Sequence, residues 1–127
     1  MGMYTELIFG ARLKSNTPKL VIDTLKYMLG EIEMPNDFPF SNERINYLFN
    51  CSSYYFGVNR SVSKMWFDEI AKQYSISTRS NIKNYEGEIE EFLTWIKPYV
   101  ASGSGKKEMY AIVTYEEEEP IIYSIYN

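Results

Sequence analysis

The chain has 127 residues, 13 basic and 17 acidic, a formal charge of −4, no histidine and one cysteine. That length suits one domain, residues 1–127, with enough chain to bury a core unaided. The missing histidine excludes Ser-His-Asp and Cys-His catalysis and histidine-ligated zinc within the chain, and the lone Cys51 excludes an intrachain disulfide and an all-thiolate metal site.

The acidic balance argues against general nucleic-acid binding, which needs a basic face. No apolar run approaches the length of a membrane span, and the N-terminal stretch lacks a signal-peptide apolar core. Met1-Gly2 resembles a myristoylation start, but Glu6 stands where Ser or Thr is required. These features set the expectation of a cytosolic protein with no membrane contact. Twelve Tyr, seven Phe and two Trp are an unusual aromatic load, suited both to strands and to interfaces.

Residues 3–13 alternate. Thr5, Leu7, Phe9, Ala11 and Leu13 share one side; Tyr4, Glu6, Ile8, Gly10 and Arg12 share the other. That is a strand with one core face and one mixed face, and Gly10 marks a bulge or a close approach. Thr17-Pro18 starts a helix over 17–29, with Val21, Ile22, Leu25, Met28 and Leu29 as its stripe and Gly30 as a left-handed cap. Pro35 and Pro39 keep 31–42 irregular; Phe38 and Phe40 tack that loop down rather than forming a lid.

Residues 44–50 and 52–58 both read as β-like, the second around Tyr54-Tyr55-Phe56. Residues 64–70 fit either a strand or a helix face. A strand is preferred, because Ala71-Lys72-Gln73 then forms a hairpin into the alternating stretch from Tyr74. There Tyr74, Ile76, Thr78 and Ile82 face the core, while Ser77, Arg79, Asn81 and Lys83 face away.

The clearest periodicity lies in 84–100. Tyr85, Ile89, Phe92 and Ile96 form a helical stripe with Leu93 on its flank. Asn84 caps it, Glu86, Glu88, Glu90 and Glu91 suit the positive end of the dipole as solvated residues, and Pro98 ends it. Residues 108–115 and 121–126 are strands around a turn at 116–120. The last strand is apolar on both faces, which implies a covered position. The expected fold is α+β: a single mostly antiparallel sheet of five to six strands with two helices on one face, in the order β-α-β-β-β-α-β-β.

Gly103 to Lys107 is a linker rather than a phosphate loop, since Val100 and Lys107 break the pattern and a strand follows. Glu116-Glu117-Glu118-Glu119 reads as a solvated turn rather than a cation site. Cys51 has no neighbouring base and reads as a small apolar residue. Ser77, Arg79, Asn81 and Lys83 are the candidate ligand-binding set, because Arg and Lys beside small hydrogen-bonding residues suit a phosphate or carboxylate. The competing reading is the solvated face of an antiparallel sheet. Trp95 and Tyr99 are the candidate partner-binding pair, against a core-flank reading of Trp95.

Three blocks carry a resemblance: Met3-Tyr4-Thr5-Glu6-Leu7-Ile8-Phe9-Gly10, then Ser53-Tyr54-Tyr55-Phe56-Gly57, then Arg79-Ser80-Asn81-Ile82-Lys83-Asn84-Tyr85 running on to Trp95-Ile96-Lys97-Pro98-Tyr99. They resemble small uncharacterised proteins of bacteriophages and prophages. The resemblance implies an accessory protein in a bacterial cytosol and assigns no activity to any residue. The expected function is therefore stoichiometric binding, either of a host protein or of a small anionic ligand such as a nucleotide signal, with no cofactor and no metal. The alternatives are a carboxylate- and metal-dependent enzyme on a phosphate substrate, using Glu6 and the 116–119 acids, or a homo-oligomeric virion component.

Overall fold

The computed structural model describes residues 5–49, 63–84, 87–102, 107–115 and 119–126. Its architecture is α+β. Strand β1 (Thr5–Leu13) is followed by helix α1 (Lys19–Met28), a 3-10 helix (Glu43–Phe49), β2 (Lys64–Asp68), β3 (Gln73–Ile82), α2 (Glu88–Ile96), a short 3-10 turn (Lys97–Tyr99), β4 (Val100–Ala101), β5 (Lys107–Tyr115) and β6 (Ile121–Tyr126). The strands form one six-stranded sheet in the order β2-β3-β1-β5-β6, with the short β4 paired to one end of β1. Every strand pairing among the described residues is antiparallel.

Alternation builds the sheet as the sequence implies. Leu7, Phe9 and Leu13 of β1 are fully buried, and they join Val21, Ile22, Leu25 and Met28 of α1 and Ile89, Phe92, Leu93 and Ile96 of α2 in one cluster. Phe92 is its hinge-pin: its ring meets Phe9 of the sheet at 5.2 Å and Phe49 of the 3-10 helix at 5.3 Å, both edge-on. Edge-to-face rings at this spacing are favoured by their quadrupoles.

Helix α1 is shorter than its sequence signals. Thr17 Oγ1 donates back to the Lys14 carbonyl at 2.6 Å, so it closes a turn instead of capping the helix. The C-terminal end follows expectation. Gly30 has φ +81°, its N–H reaches the Tyr27 carbonyl, and the Glu31 N–H reaches that of Lys26. Those two bonds make a Schellman cap. The Pro-rich loop is pinned as expected: Phe38 packs on Tyr27 at 5.3 Å and Phe40 on Trp95 at 4.8 Å.

Several expectations are corrected. The strand expected over 44–50 does not form in its described residues: Glu43–Phe49 is a 3-10 helix that buries Ile45, Leu48 and Phe49. Their spacing is that of one helical face, which outweighs their β-favouring composition. Gly10 makes no bulge: β1 runs in unbroken register past it, and a Cβ there would meet only the Ile76 carbonyl at 3.6 Å. The irregularity lies in β5, between Met109 and Ala111 against β6. Helix α2 begins at Glu88, later than expected, although Asn84 Oδ1 still accepts the Ile89 N–H at 3.1 Å. Its acids are not all solvated, since Glu88 is fully buried. Among the described residues β6 ends the sheet; Ile121 and Ile122 at its start are 46% and 55% exposed, while Tyr123 and Ile125 are half-buried against the core. The expected strand at 52–58, Cys51 and the 103–106 linker lie outside the described residues. Strand β2, by contrast, forms as preferred, and its hairpin turns through Glu69–Lys72 with Lys72 at φ 58°. Among the described residues, no helix is long and apolar enough to cross a membrane.

Candidate functional site

The sheet face turned away from the helices is assembled by register. Glu6 of β1 lies between Asn81 of β3 and Thr114 of β5; Ile8 lies between Arg79 and Ile112; Gly10 is paired with Ser77. Ile112 is in turn paired with Ile122 of β6. Ser77 is exposed and Arg79 half-buried, its backbone N–H directed at Ser63 Oγ at 3.4 Å. Asn81 is only 4% exposed, and its Nδ2 amide has no hydrogen-bond acceptor among the described residues. Lys83 lies beyond the end of β3, and its carbonyl accepts a hydrogen bond from Arg44.

The four residues grouped by alternation are therefore not one exposed row. Ser77 and Arg79 share the open face, Asn81 is sunk into it, and Lys83 has left the strand. Glu6, only 2% exposed, stands directly opposite Asn81 and diagonal to Arg79. The face thus sets an acidic residue among the candidate set rather than a row of cations.

Trp95 and Tyr99 are both half-buried. Trp95 packs edge-on against Phe40, lies 6.0 Å from Phe92 and touches Tyr99 at 6.1 Å. Its ring seals the flank of the core over the Pro-rich loop.

Two side-chain groupings escape sequence reasoning because their members are far apart in the chain. In the first, Arg44 Nε bonds Glu88 Oε1 at 2.5 Å and its Nη2 bonds the Lys83 carbonyl, tying the 3-10 helix to the start of α2. In the second, Glu90 accepts the Tyr115 hydroxyl at 2.8 Å and the Asn84 amide at 2.9 Å. Burial, then the bond to Glu90, pushes the Tyr115 phenol up to about 12. Burial and the Glu90 charge raise Tyr123 as well. Phenols so held are neutral donors and not bases at physiological pH, so this cluster fastens α2 to β5 rather than moving protons. Among the described residues, no group of three His, Cys, Asp or Glu side chains could hold a metal ion.

The surface with exposed aromatic character is the β2–β3 hairpin. Trp66 and Phe67 are exposed on opposite faces of β2, and Ile70 at the tip is 95% exposed. Phe67 leans on Tyr74 at 4.9 Å and the Lys64 ammonium lies 5.6 Å from the Trp66 ring centre, so both rings are held in place. Asp68 Oδ1 accepts the Ile70 and Ala71 N–H groups and fixes the tip. A second aromatic surface surrounds a cleft of about 190 Å³ lined by Tyr27, Met34, Phe38, Asn46 and Tyr47. That volume is below the roughly 300–1,000 Å³ of sites that enclose a drug-sized ligand. Comparison with protein-family models, with curated proteins and with solved structures finds no match to this chain.

Proposed function

We propose that this is a small phage-type binding protein that acts stoichiometrically in the bacterial cytosol by occupying a surface of a host protein. The observation that carries this reading is the β2–β3 hairpin. Among the described residues it ends the sheet, and it carries two exposed aromatic rings and an almost fully exposed Ile70 at its tip. Exposed Trp is the residue type most enriched at binding hot spots, and an edge strand offers backbone groups to a partner as well. A rigid hairpin adds little ordering cost on binding. The test is retention of a host protein by the tagged chain, at a one-to-one ratio. Trp66→Ala and Ile70→Asp should each abolish it, and Arg79→Glu should leave it intact. Retention indifferent to the hairpin substitutions overturns the reading.

The second reading, capture of a small anionic ligand by Ser77, Arg79 and Asn81, is favoured by one observation, the buried Asn81 amide with no acceptor among the described residues. A buried donor without a partner costs about 1–3 kcal/mol, which a ligand oxygen would offset. Release of a phosphorylated small molecule on denaturing the purified chain, lost in Arg79→Glu, would establish this reading in place of the first.

A further inference from the structure

We propose that the cleft between α1 and the first 3-10 helix holds an arginine side chain of the bound host protein; for the identity of that partner it rests on the host-protein reading. Five residues line the cleft: Tyr27 from the last turn of α1, Met34 and Phe38 from the Pro-rich loop, and Asn46 and Tyr47 from the 3-10 helix. Three of the five carry rings. Tyr27 and Phe38 stand 5.3 Å apart with their planes at 82°, and Phe38 is braced by the buried Phe40 at 5.7 Å. Tyr47 is 51% and Met34 50% exposed, so the lining is open to solvent. Two fixed rings at a right angle offer π surface to a guest on two sides, and Met34 adds a polarisable thioether. At about 190 Å³ the cleft takes one long side chain rather than a whole small ligand.

Charge selects a cation as the guest. Glu33 precedes Met34 and Asp37 precedes Phe38, so each acid has its Cα about 3.8 Å from that of a lining residue, well inside a Debye length of about 8 Å. Glu31 belongs to the same loop. All three acids are exposed, and none is ion-paired among the described residues. The cations of the elements that build the cleft are engaged elsewhere. Lys19 pairs with Asp23 at 2.7 Å, Arg44 pairs with Glu88, and the Lys26 ammonium lies 5.5 Å from the centre of the Tyr74 ring on β3. An anion would be repelled here, and an apolar guest would use the rings but not the acids. A guanidinium uses both: it is weakly hydrated, stacks on aromatic faces and keeps its charge at any physiological pH.

The cleft adjoins the hairpin. Lys26, which lies over Tyr74, immediately precedes Tyr27, and Tyr74 holds Phe67 of β2 at 4.9 Å. One partner surface can therefore lay an apolar patch on the hairpin and set an arginine into the cleft. The hairpin itself is balanced in charge, with Lys64 and Lys72 against Asp68 and Glu69. The acidic loop beside the cleft is what distinguishes one orientation of the partner from another, the part that charge plays at an interface whose affinity is apolar.

The probe is a capped glycine-arginine-glycine peptide, titrated to high millimolar concentration into the intact chain, with the citrulline peptide beside it. Citrulline keeps the planar, hydrogen-bonding end of arginine and loses its charge. The expected result is a saturable shift of the Tyr27 and Phe38 ring protons, about tenfold weaker in affinity for the citrulline peptide and weakened by added salt for the arginine peptide alone. Tyr47→Leu keeps an apolar wall and removes a ring; Glu33→Gln combined with Asp37→Asn removes the adjacent charge. Each should weaken the arginine peptide severalfold, while Glu69→Gln, at the hairpin turn, should not. Absence of a saturable shift overturns the proposal, as does equal binding of the two peptides or binding indifferent to Tyr47→Leu. The titration contains no host protein, so its failure leaves the hairpin reading standing. A chain that binds the arginine peptide but retains no host protein removes the hairpin reading and keeps the cleft as an arginine site.

Discussion

Glu88 has no exposed surface, and the guanidinium of Arg44 meets it at 2.5 Å while being itself about a third exposed. The two partners are therefore unequal under substitution. Arg44→Ala strips a buried carboxylate of its cation, and breaking a buried pair this way costs about 3–5 kcal/mol. Glu88→Ala leaves a guanidinium that can turn to water, so it should cost clearly less. Urea unfolding of both variants checks the order; equal losses would mean that the pair does not anchor the 3-10 helix. Two backbone positions make an opposed pair of tests. Gly30 stands at φ +81° with open space for 4 Å around the point where a methyl would project, so Gly30→Ala isolates the left-handed strain at ~1 kcal/mol of lost stability. Lys72 already bears that strain at φ 58°, so Lys72→Gly should raise stability by up to ~1 kcal/mol. Thermal midpoints moving in opposite directions would confirm both.

At the scale of elements, local pattern carries β1, β3, β5, β6 and both helices, because alternation and helical stripes are properties of contiguous residues. What pattern does not supply is partnership across the chain. The stretch ending at Phe49 has a β-favouring composition, yet Ile45, Leu48 and Phe49 form a buried helical face. Alternation correctly turns Asn81 away from the helices, but the residue is buried beside Glu6, which sits 75 positions earlier and opposite it in the sheet. Of the candidate site, then, alternation locates Ser77 and Arg79 on the open face and misjudges the depth of Asn81. The hold of α2 on β5 is likewise invisible locally, since Tyr115 and Glu90 meet only after folding. It has a pH signature. The Tyr115 phenol stands at about 12 in the fold against an ordinary 10.0, so the neutral form is favoured by folding. Its contribution is complete below pH 10 and is lost as pH rises toward 12. Tyr123 and Tyr110 are raised in the same direction by burial. Unfolding free energy should therefore fall through this alkaline window, and Tyr115→Phe should flatten the fall without abolishing it. A slope identical in the variant would remove the Glu90–Tyr115 bond as a stabilising contact.

At the scale of the molecule, one apolar cluster serves the sheet, both helices and the 3-10 helix, and Phe92 is where they converge. Its ring contacts Phe9, Phe49 and Trp95, one from the sheet, one from the 3-10 helix and one from its own helix beneath the Pro-rich loop. Truncation to Ala would remove all three contacts and leave a cavity that no neighbouring element could close without shifting another. Such Phe→Ala changes cost about 3–5 kcal/mol, a large share of the roughly 5–15 kcal/mol that holds a domain folded. The expected result for Phe92→Ala is a single cooperative transition at much lower urea, with aromatic and backbone circular dichroism lost together. Backbone signal outlasting the aromatic signal would show that the sheet keeps its order without this ring. The surface proposals depend on that distinction. Ile70→Asp lies outside the cluster, so it should not move the urea midpoint of the isolated chain by more than a surface substitution does, about 0.5 kcal/mol. Loss of the partner at an unchanged midpoint then reports on the surface alone, whereas loss at a lowered midpoint reports on the core.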